Sequence, residues 1–445
     1  MRVGGVSPEL AWSRPDVTVG EVLKKLVPMG LSYLGSGGSL ITSSIAQLVT
    51  FAILARSLGT EQFALYVTLT AFTNVAVQIC GLGAQESLVR RVARDPADYP
   101  RLIGHSLLLT FGTGVVLLVA GLVVLPVIVP TSSNQLVNIG TIGLLLLSTV
   151  IIMRLVSLAT ASYIARSNFV VANSVEVGFA LIRTGAAVLG CLVFGVTTVA
   201  GWSVWFFAAH LVFAVVAIVL ILRLGRPRYE LVREEIKIGT LFSTQFIFKA
   251  IRQNTDILIL GMFTGPEVVS SYGVARRVLD SSYLSVEALN RLIYPGSAVA
   301  LMSGFHNAYG RVRRVTAAGL VISTLAAVAV FVLAPLMPFL FGNEYPSMVA
   351  FTRLLCWVVI PMAVSSVALE AFGAAGRQDV RAIVYNSANI VAACLVALAT
   401  VLAGVQGAFA SSYAVELATA AVAWMVLLRF VRTDRARHLG AIPAE

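Results

Sequence analysis

Charge is what this sequence has least of. Only 12% of its 445 residues are Asp, Glu, Lys or Arg, against about 25% in soluble domains. A charged set that sparse, spread over the whole length, cannot wet a globule, so lipid must be much of the solvent. Cysteine is scarce as well. Cys80, Cys191, Cys356 and Cys394 lie inside or at the edge of apolar runs without metal-type spacing, and read as small packing residues. Histidine is confined to His105, His210, His306 and His438, no two of them spaced as metal ligands, so neither a metal site nor His-based catalysis is expected. Strand-type alternation is missing; the apolar runs are continuous and about 20 residues long, which excludes a β-barrel pore. Long loops are missing too, so no segment between runs can fold as a catalytic or receptor domain. The first 30 residues have no signal-peptide core, because Arg14, Pro15, Asp16, Lys24 and Lys25 interrupt their apolar positions. Insertion through the first span is the expectation.

What is present is hydrocarbon: 58% hydrophobic residues and a mean hydropathy of +0.89. Apolar runs fall at 34–55, 63–84, 102–129, 136–160, 169–194, 199–222, 239–263, 268–299, 316–341, 348–372, 380–403 and 405–430. The reading is an all-α polytopic membrane protein with about twelve transmembrane helices. The run at 268–299 carries Arg276, Arg277, Asp280 and Glu287 and spans only if these face protein or water. The net charge of +11 does not point to nucleic acid, because the basic residues sit between hydrophobic runs and form no separate domain.

Their distribution gives an orientation instead. Connections from odd to even runs are nearly free of Lys and Arg, with Arg56 in the first and only Glu267 and Glu344 in two others. The opposite set carries Arg90, Arg91, Arg94 and Arg101, then Arg166, then Arg223 to Lys237, then Arg311, Arg313 and Arg314, then Arg377 and Arg381. Positive charge accumulates on the cytoplasmic side, so both termini are expected there, in a bacterial cytoplasmic (inner) membrane. The expected divisions are a cytoplasmic segment 1–31, a six-helix bundle 32–222, a basic linker 223–238, a second six-helix bundle 239–431 and a tail 432–445. Residues 16–29 have the makings of an amphipathic surface helix. Pro126, Pro295, Pro335, Pro338 and Pro361 are expected to kink their spans, and Gly81 and Gly83 to allow close helix approach.

The halves repeat. Gly59, Glu61 and Tyr66 in GTEQFALY recur as Gly265, Glu267 and Tyr272 in GPEVVSSY, an offset of 206 residues, and Ala200-Gly201 matches Gln406-Gly407 at the same offset. An even number of spans per half makes these parallel repeats, with a central cavity between two bundles.

ILARSLGTEQFALY and GLGAQESLVRRVARD resemble the opening of the polysaccharide and O-antigen flippases, within the multidrug/oligosaccharidyl-lipid/polysaccharide exporter superfamily. DILILGMFTGPEVVSSYGVARRV is similar to the start of that family's second half, LMPFLFGNEYPSMVAFTRLL to a later element, and GAAGRQDVRAIVYNSANIV and VQGAFASSYAVEL to its closing spans. The resemblance implies a transporter, not an enzyme, that carries a polyprenyl-diphosphate-linked oligosaccharide to the outer leaflet by alternating access. It implies that lipid-linked oligosaccharide and membrane lipids as partners, with a polysaccharide polymerase and chain-length machinery beside them. It supplies no fixed ligand residues.

Candidate site residues therefore come from ionisable groups inside the runs, each of which costs at least about 2.5–3.5 kcal/mol at a lipid-facing helix centre. Lys249, Arg252 and Asp256 share one helical face, as do Arg276, Asp280 and Glu287; Arg183 sits mid-run with Glu176 seven residues before it. Arg183, Lys249, Arg252 and Arg276 are the candidate cationic lumen for a diphosphate. Asp256, Asp280 and Glu287 are the candidate carboxylates for proton or sodium coupling; no cofactor is expected. Structural pairing of Arg252 with Asp256 and of Arg276 with Asp280, each at i, i+4, is the competing reading. Glu370, Glu416 and Arg353 read as nearer span ends. Gln47, Asn74, Gln78, Gln245, Asn254, Tyr283 and Asn290 are the candidate sugar contacts. Competing functions are a peptidoglycan-precursor flippase or a drug/cation antiporter of the same superfamily, and a membrane polysaccharide polymerase or ligase. Cationic lumen groups disfavour the antiporter, and short outer loops disfavour the enzyme.

Overall fold

The computed structural model describes the backbone of residues 19–128, 135–301 and 305–438, and within them the side chains of 38–126, 139–290, 305 and 308–436. The expected surface helix at 16–29 and the residues Pro295, His306 and His438 fall outside those side chains. Among the described residues all regular structure is helical: α1 (Val19–Ile79), α2 (Ala84–Val92), α3 (Tyr99–Ile128), α4 (Gln135–Leu146), α5 (Met153–Ile164), α6 (Phe169–Ala187), α7 (Val199–Leu224), α8 (Arg233–Phe263), α9 (Pro266–Leu301), α10 (Phe305–Leu333), α11 (Met337–Phe341), α12 (Met348–Leu355), α13 (Val359–Ala374) and α14 (Gln378–His438). A π-turn joins α4 to α5, and another extends α6 to Val193.

Among the described residues, eight helical stretches are long and apolar enough to cross a membrane. Two of these are double rods. Gly59 (φ 69°, ψ 173°) breaks α1 where a positive φ suits glycine, and Ala403–Gly404 breaks α14. The charged α8 and α9, 31 and 36 residues long, complete twelve rods in the order of the twelve apolar runs. The breaks keep the repeat: Gly59 answers the α8–α9 corner, and the start of α7 at Val199 answers Gly404. The linker is shorter than its charge suggests. Only Gly225–Val232 lies between α7 and α8; Arg233 and Lys237 are helical.

Two six-rod bundles result, and their cores divide unevenly. At the end bearing Gly59, one continuous core joins the halves, with Leu54, Phe63 and Trp202 packed in the same cluster as Tyr272, Phe341 and Phe409. At the opposite, basic end the core splits. Leu88, Tyr99, Ile103 and Ile221 belong to a cluster of the first half alone; Val312, Phe372 and Leu427 belong to one of the second half alone. The hydrophobic cores of the halves therefore merge at one end and stay distinct at the other. Rows of exposed aliphatics on α3 (Val115, Val116, Val119, Val123), α7 (Val212, Val215, Val219) and α10 (Val321, Leu325, Val332) cover the outside. Water does not tolerate apolar surface on that scale; a bilayer requires it. The protein is a multi-pass membrane protein.

One bridge spans the basic end. A Cβ on Gly83 would fall 1.9 Å from the Gly239 carbonyl oxygen, so the glycine backbones of the α2 entry and of α8 touch directly. Beside them Glu235, 3% exposed, accepts from the Ser87 hydroxyl and pairs with Arg90 at 3.2 Å and Arg91 at 3.3 Å. The close approach expected of Gly83 is thus made to the start of the second half.

Candidate functional site

Burying charge within a helix bundle requires partners for it, and the second half supplies them. The Asp256 carboxylate accepts from the Tyr272 hydroxyl at 2.6 Å and from the Ile257 amide at 2.8 Å. Arg276 lies 3.8 Å from both Asp256 and Asp280. Arg252 reaches across to Glu416 on α14 and forms an ion pair with it. Arg252, Asp256, Arg276, Met362, Ser412 and Glu416 line one small pocket. Two guanidinium groups and three carboxylates thus pair within α8, α9 and α14, with one negative charge in excess. Of the two i, i+4 pairs open on sequence grounds, Arg276–Asp280 forms, while Arg252 turns to Glu416 instead of Asp256.

The space facing the first half is different. Arg183 on α6 makes no ion pair with any described residue. Its guanidinium lies over the Phe179 and Phe206 rings, 5.4 and 5.8 Å from their centroids, and its Nε is buried without a hydrogen-bond partner. Arg277 on α9 also has no acidic partner among the described residues. It donates to Gln47 Oε1 of α1 at 3.2 Å and lies over Phe51 at 5.8 Å, and its Nε is likewise unpartnered. Lys249 is half-buried on α8, again without an ion pair among the described residues. Glu287 is half-buried further along α9.

Depth follows from counting along the rods. Arg183 is ten residues before Val193, Arg252 eleven before Phe263, Arg276 and Arg277 ten and eleven after Pro266, and Gln47 and Glu416 twelve from Gly59 and Gly404. At 1.5 Å per residue these groups lie about 15–18 Å from the Gly59 end, halfway through a hydrocarbon core of about 30 Å. The charges form one level at mid-membrane. Neutral polar groups bridge the halves near it: Asn74 donates to Asn254 Oδ1 at 3.4 Å. Asn290 donates to Ser366 at 2.8 Å within the second half.

At the Gly59 end the halves are joined by direct contacts. The Thr60 hydroxyl donates to the Glu344 carbonyl at 3.1 Å, the Tyr345 hydroxyl donates to the Ala55 carbonyl, and Phe51 meets Phe341 edge-on with centroids 6.2 Å apart. Burial pushes the Tyr345 phenol above its ordinary range.

Sequence reasoning under-ranked two residues. Glu416, read as near a span end, is 7% exposed and at mid-depth; counting from Gly404 would have placed it there. Arg154, which it passed over, is 8% exposed and donates to the Cys80 carbonyl at 3.1 Å. Glu370, by contrast, pairs with Arg381 at 2.7 Å toward the basic end, and Arg353 lies over Phe331. Among the described residues no three His, Cys, Asp or Glu side chains group as a metal site.

Two helical bundles with charge buried at mid-depth define the membrane fold, and solved structures share it. An inward-facing multidrug resistance MATE family transporter of the MOP superfamily is similar with a TM-score of 0.71 at 13% identity, over 88% of this chain and 95% of that one. The MATE multidrug transporter DinF-BH, in a ligand complex, gives 0.64 at 15% identity, over 93% and 96%, and an outward-facing MATE family transporter gives 0.61 at 13%, over 90% and 97%. No curated protein matches the sequence. Residues 32–286 match the family described as "Polysaccharide biosynthesis protein", and the chain belongs to that family.

Proposed function

We propose that this protein carries a polyprenyl-diphosphate-linked oligosaccharide, a repeat unit of a surface polysaccharide, from the inner to the outer leaflet of a bacterial cytoplasmic membrane by rocking of its two bundles. The observation that carries the reading is the set of mid-depth cations without acidic partners among the described residues, Arg183, Arg277 and Lys249, between halves whose hydrophobic cores are distinct at the basic end. An unpaired guanidinium in low dielectric is stable only with an anion to receive, and a diphosphate offers the matching oxygens. Membership of the polysaccharide biosynthesis family supports the glycan part of the substrate. By the positive-inside rule the basic end is cytoplasmic, the side on which lipid-linked repeat units are made. The two bundles would extend over about 32–222 and 239–431, with both termini cytoplasmic.

In this scheme Arg252 and Arg276 border the path but are held by Glu416, Asp256 and Asp280, and those carboxylates are where a coupling proton or sodium ion would act. A drug/cation antiporter fits less well, although the structural neighbours are multidrug transporters, since free cations at mid-depth repel cationic drugs. Deletion of the gene tests the reading. Lipid-linked repeat units should accumulate inside the cell while surface polysaccharide is lost. Normal surface polysaccharide, in a strain with no second exporter, contradicts it.

A further inference from the structure

His105, near the basic end of α3, has no solvent exposure, and its two ring nitrogens are placed differently. Nδ1 accepts from the Val232 amide at 3.1 Å. Nε2 is buried with no hydrogen-bond partner among the described residues. A backbone N–H can only donate, so Nδ1 carries no hydrogen and the ring is neutral, with its one hydrogen on Nε2. Val232 is the residue from which α8 starts, and no side chain of its own caps that helix. A side chain of the first half thus holds the entry of the second.

Around this bond the linker lies against α3 through its backbone. The Arg228 amide donates to the Pro100 carbonyl at 2.7 Å, and a Cβ on Gly104 would fall 1.8 Å from the Arg228 carbonyl oxygen. Arg101 pairs with Glu230 at 3.2 Å. Just past Val232, Glu235 accepts from Ser87 and pairs with Arg90 and Arg91. Among these attachments, the one that a proton abolishes near neutral pH is the bond from Val232 to His105. A protonated imidazole carries N–H on both nitrogens and accepts at neither.

The charged groups nearby offer an imidazolium no compensation. Glu235 is matched by Arg90 and Arg91, Glu230 by Arg101, and Arg91 also reaches Asp98 at 3.8 Å. Glu86 lies on the side of α2 opposite the buried Ala84 and Leu88. Arg154 of α5 is committed to the Cys80 carbonyl, and Arg233 and Glu234 are exposed. An imidazolium at His105 would also face the positive end of the α8 dipole.

We infer that His105 is a proton-operated catch at the junction of the two halves: neutral, it holds the start of α8 on α3; protonated, it lets the linker and the first turn of α8 go. Proton uptake and the closed junction exclude each other, so acid shifts the junction toward its open form. An imidazole in water takes up its proton at about pH 6.5. Above that value the catch holds in full. Below it, the ratio of open to closed junction rises up to about ten-fold for each pH unit, the linkage of one proton. The catch answers the pH of the compartment that the basic end faces, and it does not depend on what the protein carries.

The test uses the purified full-length chain in lipid nanodiscs, in a Cys394→Ser background. Nitroxide labels are placed by Arg94→Cys, between α2 and α3, and Glu234→Cys, in the first turn of α8; both positions are exposed. Pulsed electron paramagnetic resonance reads the distance between them at pH 7.5 and 5.5. With His105 in place, a second and longer distance should gain on the first by about ten-fold at the lower pH. His105→Gln keeps an acceptor but has nothing to titrate, and should show the pH 7.5 distribution at both values. His105→Phe fills the space without an acceptor, and should show the longer distance at both.

An unchanged distribution in the chain that keeps His105 overturns the catch. So does a pH response that survives in His105→Gln, which would put the sensor in the Glu235 cluster. Should the Gln variant not fold, a pH response in His105→Phe overturns the catch in the same way. No substrate is present in this measurement, so the transport reading stands or falls separately.

Discussion

Arg252 of α8 and Glu416 of α14 form a buried ion pair that ties the first rod of the second bundle to its last. Their side chains are only 13% and 9% exposed, so neither charge has water to fall back on. Removing one partner leaves the other stranded. Arg252→Gln or Glu416→Gln should therefore cost about 3–5 kcal/mol, the scale for a broken buried pair, read as a lower unfolding temperature in detergent. Replacing both at once, Arg252→Met with Glu416→Leu, should recover most of the loss. If the single and double changes are equally harmful, the pair acts as more than mutual neutralisation.

Tyr272 offers a finer version of the same test. Its hydroxyl donates to Asp256 at 2.6 Å from a site with no solvent access. Tyr272→Phe removes the donor and keeps the ring against Phe409, so the expected cost is about 1–3 kcal/mol from the under-satisfied carboxylate. Glu230→Gln, which breaks the exposed Arg101–Glu230 pair, is the control and should stay below about 1 kcal/mol. Thermal unfolding of the two variants side by side checks the ordering.

Gly83→Ala should be among the most damaging single substitutions in the chain. The new methyl would fall 1.9 Å from a backbone oxygen of Gly239, where no flexible side chain can yield, and the residue has a φ of +73° that disfavours any Cβ. The prediction is loss of folded protein on size-exclusion chromatography. Gly112→Ala, with open space around its Cβ position, should be indistinguishable from wild type.

The contact between Thr60 and Glu344 gives a handle on rocking. In a Cys394→Ser background, which removes the exposed thiol, Thr60→Cys with Glu344→Cys places two thiols where the halves meet at the Gly59 end. Oxidation should cross-link them and stop transport, and reduction should restore it. Transport that continues through the cross-linked protein would mean that this end need not open.

Much of the architecture was legible because hydrocarbon imposes it. A run of about 20 apolar residues has few alternatives to a membrane-spanning rod, so the order of the twelve rods could be read even through the charged 268–299 segment. Corners were legible where glycine marks them, as at Gly59 and Gly404. The linker was misjudged by several residues because Arg233 and Lys237 mark the charged end of a helix as readily as a loop. The site was less legible, because a helix face fixes where a side chain starts but not what it meets. Arg276 and Arg277 show this: adjacent positions on α9 point about 100° apart, one toward Asp256 and Asp280 within its own bundle, the other across to Gln47. Which arginine is neutralised and which is left free depends on contacts between helices far apart in sequence, and those appear only in three dimensions.

Translocation by the purified protein decides the central claim. In proteoliposomes holding a fluorescent polyprenyl-diphosphate-linked saccharide, the fraction shielded from a membrane-impermeant quencher should equilibrate across the bilayer at a rate that depends on the protein. It should slow sharply in Arg183→Gln. Vesicles that leave the diphosphate lipid where it was, while exchanging a cationic dye against an ion gradient, would show an antiporter of cations and contradict the account.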